Sequence, residues 1–200
     1  MQITQRFNNS LLAALCSLAA FLSAPGLNGE EQPVTIVEKG NGHVHPSLCR
    51  PKKGELLVVY QGSNVLMCVR SEDDGTTWSK PEPIAATAKR PKVIRKVKKF
   101  EVYPGTADML PDGRVLVTWN YIADDKANDG YYERALLYAT SSDQGQTWTD
   151  QRLIGPVEDK HLGAVRHNVL PWNDGRWLLP LRVGPPQVFD PRAGELTALS

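Results

Sequence analysis

An eight-residue pattern occurs twice in the 200-residue chain and constrains the fold more than any other feature. The pattern S-x-D-x-G-x-T-W stands at residues 71–78 and again at residues 141–148. Its aspartate can accept hydrogen bonds from backbone N–H groups further on, its glycine supplies the positive φ of a tight turn, and its tryptophan can cover the adjoining core. The pattern therefore predicts two equivalent turns in two repeated structural units.

A β-hairpin is predicted before each copy of the pattern. Apolar runs flank a turn at Gly54 in SLCRPKKGELLVVY and at Gly113 in DMLPDGRVLVTW, and a third such segment, NVLPWNDGRWLLPL, has its turn at Gly175. Glycine after Asp or Asn between β-rich runs is a hairpin signal. A third strand leads into each pattern and a fourth is expected after it. Four antiparallel strands in each repeat are typical of a β-propeller blade.

The two patterns resemble the Asp boxes of the BNR-repeat, or sialidase-like, superfamily, and the resemblance covers residues 42–200. It implies an all-β fold, a six-bladed β-propeller of which about two and a half to three blades are present. It also implies that the Asp boxes are structural turns on the outer rim, away from the active site. Because Ser200 falls about where a third Asp box would begin, we expect an incomplete propeller whose third unit lacks its outer strands.

The first 24 residues have a composition of their own. Arg6 is followed by an apolar run over residues 11–22, broken only by Ser17, and then by small residues. This arrangement is typical of a secretory signal peptide, and the run is too short to span a membrane stably. We therefore predict a signal peptide at residues 1–24, a lead-in at 25–41, the propeller at 42–200, and a secreted or periplasmic protein. An uncleaved anchor is the alternative.

The formal net charge is +1, with acidic and basic residues interspersed, and this balance does not favour nucleic acid as a partner. The exception is the basic run KRPKVIRKVKK at residues 89–99. We expect it to form an outer strand whose Lys and Arg oppose edge pairing, with a polyanion-binding patch as the alternative. A glycan or glycoconjugate is the expected partner, and the sequence indicates no cofactor. Cys49 and Cys68 lie in apolar stretches, so we expect two free, buried thiols rather than a disulfide.

Polar residues precede each hairpin turn by a similar distance. His45, Tyr103 and the pair Arg166-His167 occupy comparable positions before Gly54, Gly113 and Gly175. In a propeller the first strand of each blade lines the axis, so these side chains are expected to converge at one funnel. Arg suits carboxylate recognition, and His can act as acid, base or ligand. We predict as substrate-binding residues His43, His45, Arg166 and His167, and as catalytic residues Tyr103 and Asp124.

Each candidate has a structural alternative. His43 and His45 share one strand face, which would suit a metal, but no third ligand is evident and a hydrogen-bonded pair is favoured. Tyr103 can serve as a packing residue, Arg166 can pair with a nearby surface carboxylate, and Asp124 can be a solvated loop residue. We therefore predict no metal site.

The sialidases that the chain resembles bind the substrate carboxylate with three arginines, one of them in an Arg-Ile-Pro segment before the first blade. The matching segment here is Val44-His45-Pro46, without the arginine. The resemblance implies that the nucleophilic tyrosine and the other arginines belong to later blades. We predict a secreted glycoside hydrolase related to exo-alpha-sialidases, or a relative acting on another glycan. The alternatives are a non-catalytic carbohydrate- or protein-binding propeller and an inactive fragment.

Overall fold

The described part of the chain forms three antiparallel four-stranded sheets. The computed structural model describes residues 35–37, 45–125, 130–155, 165, 167–181 and 187–198. The first sheet contains β1 (Ser47–Cys49), β2 (Leu56–Gln61), β3 (Leu66–Ser71) and β4 (Glu82–Pro83). The second contains β5 (Phe100–Met109), β6 (Val115–Asp125), β7 (Tyr131–Ser141) and β8 (Arg152–Leu153). The third contains β9 (Leu170–Pro171), β10 (Trp177–Leu179), β11 (Gln187–Asp190) and β12 (Glu195–Ala198).

Within each sheet the strands lie side by side in chain order, and every pair is antiparallel. The described residues hold one short helix, α1 (Ala85–Ala88), and a 3-10 turn at Asn173–Gly175. The predicted all-β fold and the predicted four-stranded repeats are therefore confirmed. These elements belong to a unit that covers residues 36–200. The predicted signal peptide, residues 1–24, and most of the predicted lead-in lie outside the described residues.

The third sheet corrects one expectation. Both of its outer strands, β11 and β12, are present, so the prediction that they would be missing is wrong. The connection between them is a turn over residues 191–194 rather than an eight-residue pattern. Gly194 takes a φ of +71° and donates its N–H to the carbonyl of Asp190 at 2.8 Å. This turn needs fewer residues than the pattern of the first two sheets, so the fourth strand follows sooner.

The two predicted turns, hereafter the first and second aspartate turns (residues 71–78 and 141–148), share the hydrogen bonds of their Ser, Asp, Gly and Thr positions. Asp73 accepts a bond from the Thr77 N–H at 2.8 Å, and Asp143 accepts the equivalent bond from Thr147 at 2.8 Å. In each turn the serine hydroxyl oxygen accepts a bond from the glycine N–H at 2.8 Å. Both glycines have positive φ, +92° and +84°. The predicted equivalence of the turns is confirmed.

The second aspartate turn packs against the first sheet. The Arg70 guanidinium on β3 donates to the carbonyl oxygen of Gly145 at 2.9 Å. A Cβ on Gly145 would lie 3.0 Å from a methyl carbon of Leu57 on β2, which is fully buried. The first two sheets share one apolar cluster that includes Val59, Trp119 and Leu137. The turn is therefore part of the interface between the sheets.

The basic run at residues 89–99 forms no strand, so the predicted outer strand is wrong. Pro91 lacks the N–H that a sheet ladder requires, and the guanidinium of Arg90 donates to the carbonyl of Ile94 where a neighbouring strand would otherwise do so. Ile94 is fully buried, whereas Val93 is 52% exposed. The run is a connection between the first and second sheets, held to the core by Ile94.

Both described cysteines are free and buried, as predicted. Burial, together with the negative charge of Asp108, raises the pKa of the Cys49 thiol to about 12. The thiol therefore stays protonated at neutral pH. Across the described part of the chain, we find no helix with the length and apolar character needed to cross a membrane.

Candidate functional site

A β-bulge in the first strand of the second sheet shapes the candidate site. Pro104 pairs with Trp119 and Ala107 pairs with Val117, so Gly105 and Thr106 together lie opposite Thr118. The Thr106 N–H donates to the Thr118 hydroxyl at 3.0 Å. A Cβ on residue 105 would lie only 2.2 Å from that hydroxyl and 2.7 Å from the Thr118 carbonyl oxygen, so this position requires glycine. Bulges of this kind redirect a strand beside a site.

The bulge lines a cleft of about 350 Å³, hereafter the first-strand cleft. Its walls come from the start of β1, the middle of β5 and the segment before β9, with the lining residues His45, Pro46, Ser47, Leu48, Pro104, Gly105, Thr106 and Asn168. β1 and β5 are joined here, because the Ala107 N–H donates to the Ser47 hydroxyl at 2.9 Å. All three sheets therefore contribute their first strands, or the residues just before them, to one cleft.

His45 and Tyr103 form a hydrogen-bonded pair beside the first-strand cleft. The Tyr103 hydroxyl lies 2.7 Å from Nε2 of His45, and the two rings are 5.2 Å apart and tilted by 46°. His45 is exposed and Tyr103 is half-buried. An imidazole at this distance can accept the phenol proton, which would make the tyrosine oxygen a better nucleophile or hydrogen-bond acceptor.

A buried carboxylate, Asp108, holds two walls of the cleft together. Its Oδ2 accepts a hydrogen bond from the Thr106 hydroxyl at 2.6 Å and another from the Val169 N–H at 3.0 Å. Thr106 lines the cleft directly, and Val169 follows Asn168, which also lines it. Asp108 is only 4% exposed. It therefore fixes the segment before β9 to the second sheet.

The environment of Asp108 alters its acidity. Burial raises the pKa of this carboxyl above its usual range, and the hydrogen bonds from Thr106 and Val169 offset only part of that effect. Both hydrogen bonds reach the same oxygen, Oδ2, and Asp108 is not among the described residues that line the cleft. Asp108 therefore acts through the residues that it positions.

The predicted site residues have different outcomes. The structure places Tyr103 and His45 together, as expected for residues that converge on one site. His167 is exposed and precedes Asn168, but it is not among the residues that line the first-strand cleft. His43 and Arg166 lie outside the described residues. Their substrate-binding roles stay predictions.

Asp124 lies near the end of β6, where its N–H donates to the Lys99 carbonyl at 3.1 Å. It is four residues beyond Asn120, the cross-strand partner of Tyr103. At the usual rise of a strand this separation is about 13 Å. The structure therefore does not bring Asp124 to the tyrosine, and its catalytic role stays a prediction.

Sequence reasoning missed Thr106, Asp108 and Asn168. The sequence contains a signal for Thr106 and Asp108. The pattern Thr-x-Asp places two polar side chains on one face of a strand that is otherwise rich in apolar residues. An aspartate inside such a strand requires buried hydrogen-bond partners. Asn168 has no comparable signal. Within the described ranges, no group of three or more His, Cys, Asp or Glu is arranged to hold a metal ion.

Three successive four-stranded sheets, each with its strands in chain order, define an all-β protein built from units of the β-propeller blade type. No protein-family model matches the chain. No curated protein matches it either. Among solved structures, a protein of unknown function from Dyadobacter fermentans has 18% sequence identity and a TM-score of 0.51, over 77% of this chain and 53% of that one. The similarity shows a shared fold.

Two further solved structures are glycan-acting enzymes by their descriptions. The Hadza microbial sialidase has 18% identity and a TM-score of 0.49, over 77% of this chain and 32% of that one. The Penicillium chrysogenum alpha-L-arabinanase, complexed with arabinobiose, has 15% identity and a TM-score of 0.49, over 72% of this chain and 40% of that one. The chain thus spans about half the length of the Dyadobacter protein and less of the other two.

Proposed function

We propose that the chain belongs to a six-bladed, sialidase-like propeller that acts on a glycan, and that the first-strand cleft holds the sugar. The observation that carries this proposal is the 2.7 Å contact between Tyr103 and His45 beside a cleft built from three successive units. A funnel at the first strands of a propeller is where ligand-binding residues from different blades can meet. The repeated eight-residue pattern supports the resemblance to that superfamily.

The cleft offers partners suited to sugar hydroxyls. The Asn168 amide can donate and accept, and the Tyr103–His45 pair adds a phenol and an imidazole beside it. Pro46 and Pro104 supply apolar surface for the face of a sugar ring. The described lining residues contain no Arg, Lys, Asp or Glu. On these described residues, the ligand that we propose is a neutral glycan.

In the hydrolytic form of this proposal, Tyr103 is the nucleophile and His45 accepts its proton. The tyrosine oxygen would bond to the anomeric carbon as the glycosidic bond breaks, and water would then release the sugar from the tyrosine. A carboxyl group must protonate the departing oxygen, and Asp124, predicted as catalytic, lies about 13 Å along the strand from the position opposite Tyr103, so its distance does not support that role. The second candidate is a non-catalytic glycan-binding propeller. The lack of a carboxylate among the described cleft-lining residues favours that candidate.

The proposal also includes export from the cytoplasm, supported by Arg6 and the apolar run at residues 11–22. N-terminal sequencing of the protein recovered from the periplasm or medium tests this part. A mature N-terminus near residue 25 is expected. Recovery from the cytoplasm with Met1 retained would contradict it.

The binding experiment uses an array of neutral oligosaccharides, followed by calorimetric titration of the best binder into the full chain. Tyr103→Phe and His45→Gln are each expected to weaken binding about three- to tenfold, the effect of losing one hydrogen bond to a neutral group. Tyr60→Phe is the matched control, because Tyr60 packs in a separate cluster of the first sheet. The proposed site is wrong if all three variants bind equally well.

Fluorogenic aryl glycosides then separate the two candidate functions. Turnover that is lost in Tyr103→Phe supports the hydrolase. Binding without turnover supports the non-catalytic protein. A chain that neither binds nor cleaves any neutral glycan in the panel would overturn the proposal.

A further inference from the structure

A second cleft lies between the second and third sheets and shares no residue with the first-strand cleft. Its volume is about 310 Å³. We call it the arginine cleft, after Arg114, Arg152 and Arg192; hydroxyl and aromatic groups of Thr140, Thr149, Tyr138 and Trp177 complete most of its wall. Among the described residues that line it there is no Asp or Glu. Three guanidinium groups therefore line one small space, and the carboxylates that pair with two of them, Asp112 and Asp190, are not among the described lining residues.

Two of the arginines are held in place by their own turns. Nε of Arg114 donates to Asp112 at 2.8 Å, and Arg192 binds Asp190 through Nε at 2.9 Å and Nη2 at 2.7 Å. Nη1 of Arg114 remains directed toward the Thr140 hydroxyl, 3.5 Å away. Each guanidinium has five N–H donors, so these pairs orient the groups and leave donors for a ligand.

Arg152 differs from the other two arginines. It is exposed and forms no ion pair with any residue that the structure describes. Its position on β8 is fixed by pairing with Tyr138 on β7. It therefore brings a positive charge that is not paired with any carboxylate of the described residues.

The equivalent groove between the first and second sheets has the opposite charge pattern. Ser71 and Ser141 occupy the same position in the first and second sheets. Counted from them along the paired strands, Glu55 corresponds to Arg114, Arg70 to Thr140 and Glu82 to Arg152. In the first groove Arg70 is already bound by Glu82 and by the Gly145 carbonyl. In that groove the charge of Arg70 is paired with Glu82. In the arginine cleft, Arg114 and Arg152 occupy the positions that Glu55 and Glu82 have in that groove.

We propose that the arginine cleft binds a tetrahedral oxyanion, the sulfate or phosphate group, either as the free ion or as an ester on a sugar. Guanidinium groups bind such oxygens through charge-assisted hydrogen bonds, and their fixed fork of donors suits a planar pair of oxygens. Three guanidinium groups and two hydroxyls supply more donors than the two oxygens of a carboxylate can accept. A sulfate or phosphate group, with three or four outer oxygens, matches this set better.

The experiment measures the binding of sodium sulfate and sodium phosphate to the full chain by calorimetric titration, at ionic strength held constant with sodium chloride. Arg152→Gln and Arg114→Gln are each expected to weaken binding about tenfold or more, because each removes a charged hydrogen-bond partner. Arg176→Gln is the matched control. Arg176 pairs with Asp174 as Arg114 pairs with Asp112, but it lies outside the cleft.

Circular dichroism and a thermal melt of each variant without added anion show whether its fold is retained. Saturable binding that is lost in the two cleft variants and kept in Arg176→Gln supports the proposal. Equal binding by all variants, or no saturable binding of either ion, overturns it. A sulfated disaccharide and its unsulfated counterpart then distinguish the sources: tighter binding of the sulfated sugar than of free sulfate identifies the ester, and equal binding identifies the free ion.

Discussion

The carboxylate of Asp108 accepts a hydrogen bond from the backbone N–H of Val169, 61 residues later in the chain, at 3.0 Å. This bond joins the second sheet to the segment that leads into the third. The same oxygen also accepts the Thr106 hydroxyl. Because Thr106 and Asn168 both line the first-strand cleft, the stability of the fold and the shape of the cleft depend on one buried side chain.

Replacing Asp108 with alanine removes the acceptor from two buried donors. We expect Asp108→Ala to lower the free energy of unfolding by about 1–3 kcal/mol, the cost of leaving a buried polar group unpaired. Asp108→Asn keeps an acceptor oxygen and should cost less. Urea unfolding followed by tryptophan fluorescence measures both. Equal losses in the two variants would contradict the role of the carboxyl oxygen.

The pH dependence of Asp108 gives a separate prediction. Burial raises the pKa of this carboxyl in the folded state above its ordinary value of 3.8, so the folded state binds the proton more tightly than the unfolded state. The resulting stabilisation is fully present below pH 3.8 and is lost as the pH rises through the raised pKa. The free energy of unfolding of the native chain, relative to Asp108→Asn, should therefore fall from pH 3 to pH 8. A constant difference would contradict the shift.

The pKa of Asp143 is shifted in the opposite direction to that of Asp108. Burial acts to raise its pKa, but hydrogen bonds from Thr147 and Ser141 outweigh that effect and lower the pKa to about 2. The stabilisation is present above the ordinary value of 3.8 and is lost as the pH falls toward 2. We expect Asp143→Asn to lower the free energy of unfolding by about 1 kcal/mol at pH 7, and by less at pH 2.5.

The matched control for Asp143→Asn is Asp74→Asn, in the first aspartate turn. The side chain of Asp74 pairs with Arg50 rather than with the amides of the turn. Chemical unfolding at the two pH values compares the variants. Loss of stability that is the same at both values would show that the Asp143 charge is not involved.

Gly105→Ala tests the bulge. The added carbon would meet the Thr118 hydroxyl at 2.2 Å and the backbone carbonyl at 2.7 Å, so β5 must move away from β6. We expect a larger loss of stability than in Gly113→Ala, where a Cβ meets nothing within 4 Å and only the φ of +83° is unfavourable. Thermal melts rank the two variants. A smaller effect at Gly105 would mean that the bulge relaxes easily.

We expect the chain to show no turnover of a fluorogenic sialoside between pH 4 and pH 8. The described residues that line the first-strand cleft contain no arginine, and a sialic acid carboxylate is best held by guanidinium groups. A fluorescence assay of the purified protein checks this. Turnover above background that disappears in Arg166→Ala would contradict it and would identify Arg166 as the carboxylate ligand.

The sequence predicts the sheets well because turns and strand patterns are local. The aspartate turns are formed by residues within four positions of one another, as in the bond from Thr77 to Asp73. The basic run was mispredicted because its conformation depends on Ile94, whose burial is a tertiary contact. Periodicity cannot indicate that one apolar residue in a charged segment is anchored in the core.

The sequence predicts only that part of the candidate site whose residues occupy equivalent positions in the repeated units. Aligning the hairpin turns was enough to bring His45 and Tyr103 together. The bond between Asp108 and Val169 connects residues far apart in the chain, and no local pattern specifies it. Asp124 lies in β6 rather than in a loop, and the strand register places it away from Tyr103.

The contact between Arg70 and the Gly145 carbonyl has a consequence for how the protein unfolds. Because the second aspartate turn rests on the first sheet, melting either sheet exposes Leu57 and leaves that carbonyl without its donor. Neither sheet can open while the other keeps its full stability. The first two units should therefore be lost in a single cooperative transition, and amide protons on β3 and β7 should exchange with solvent at similar rates.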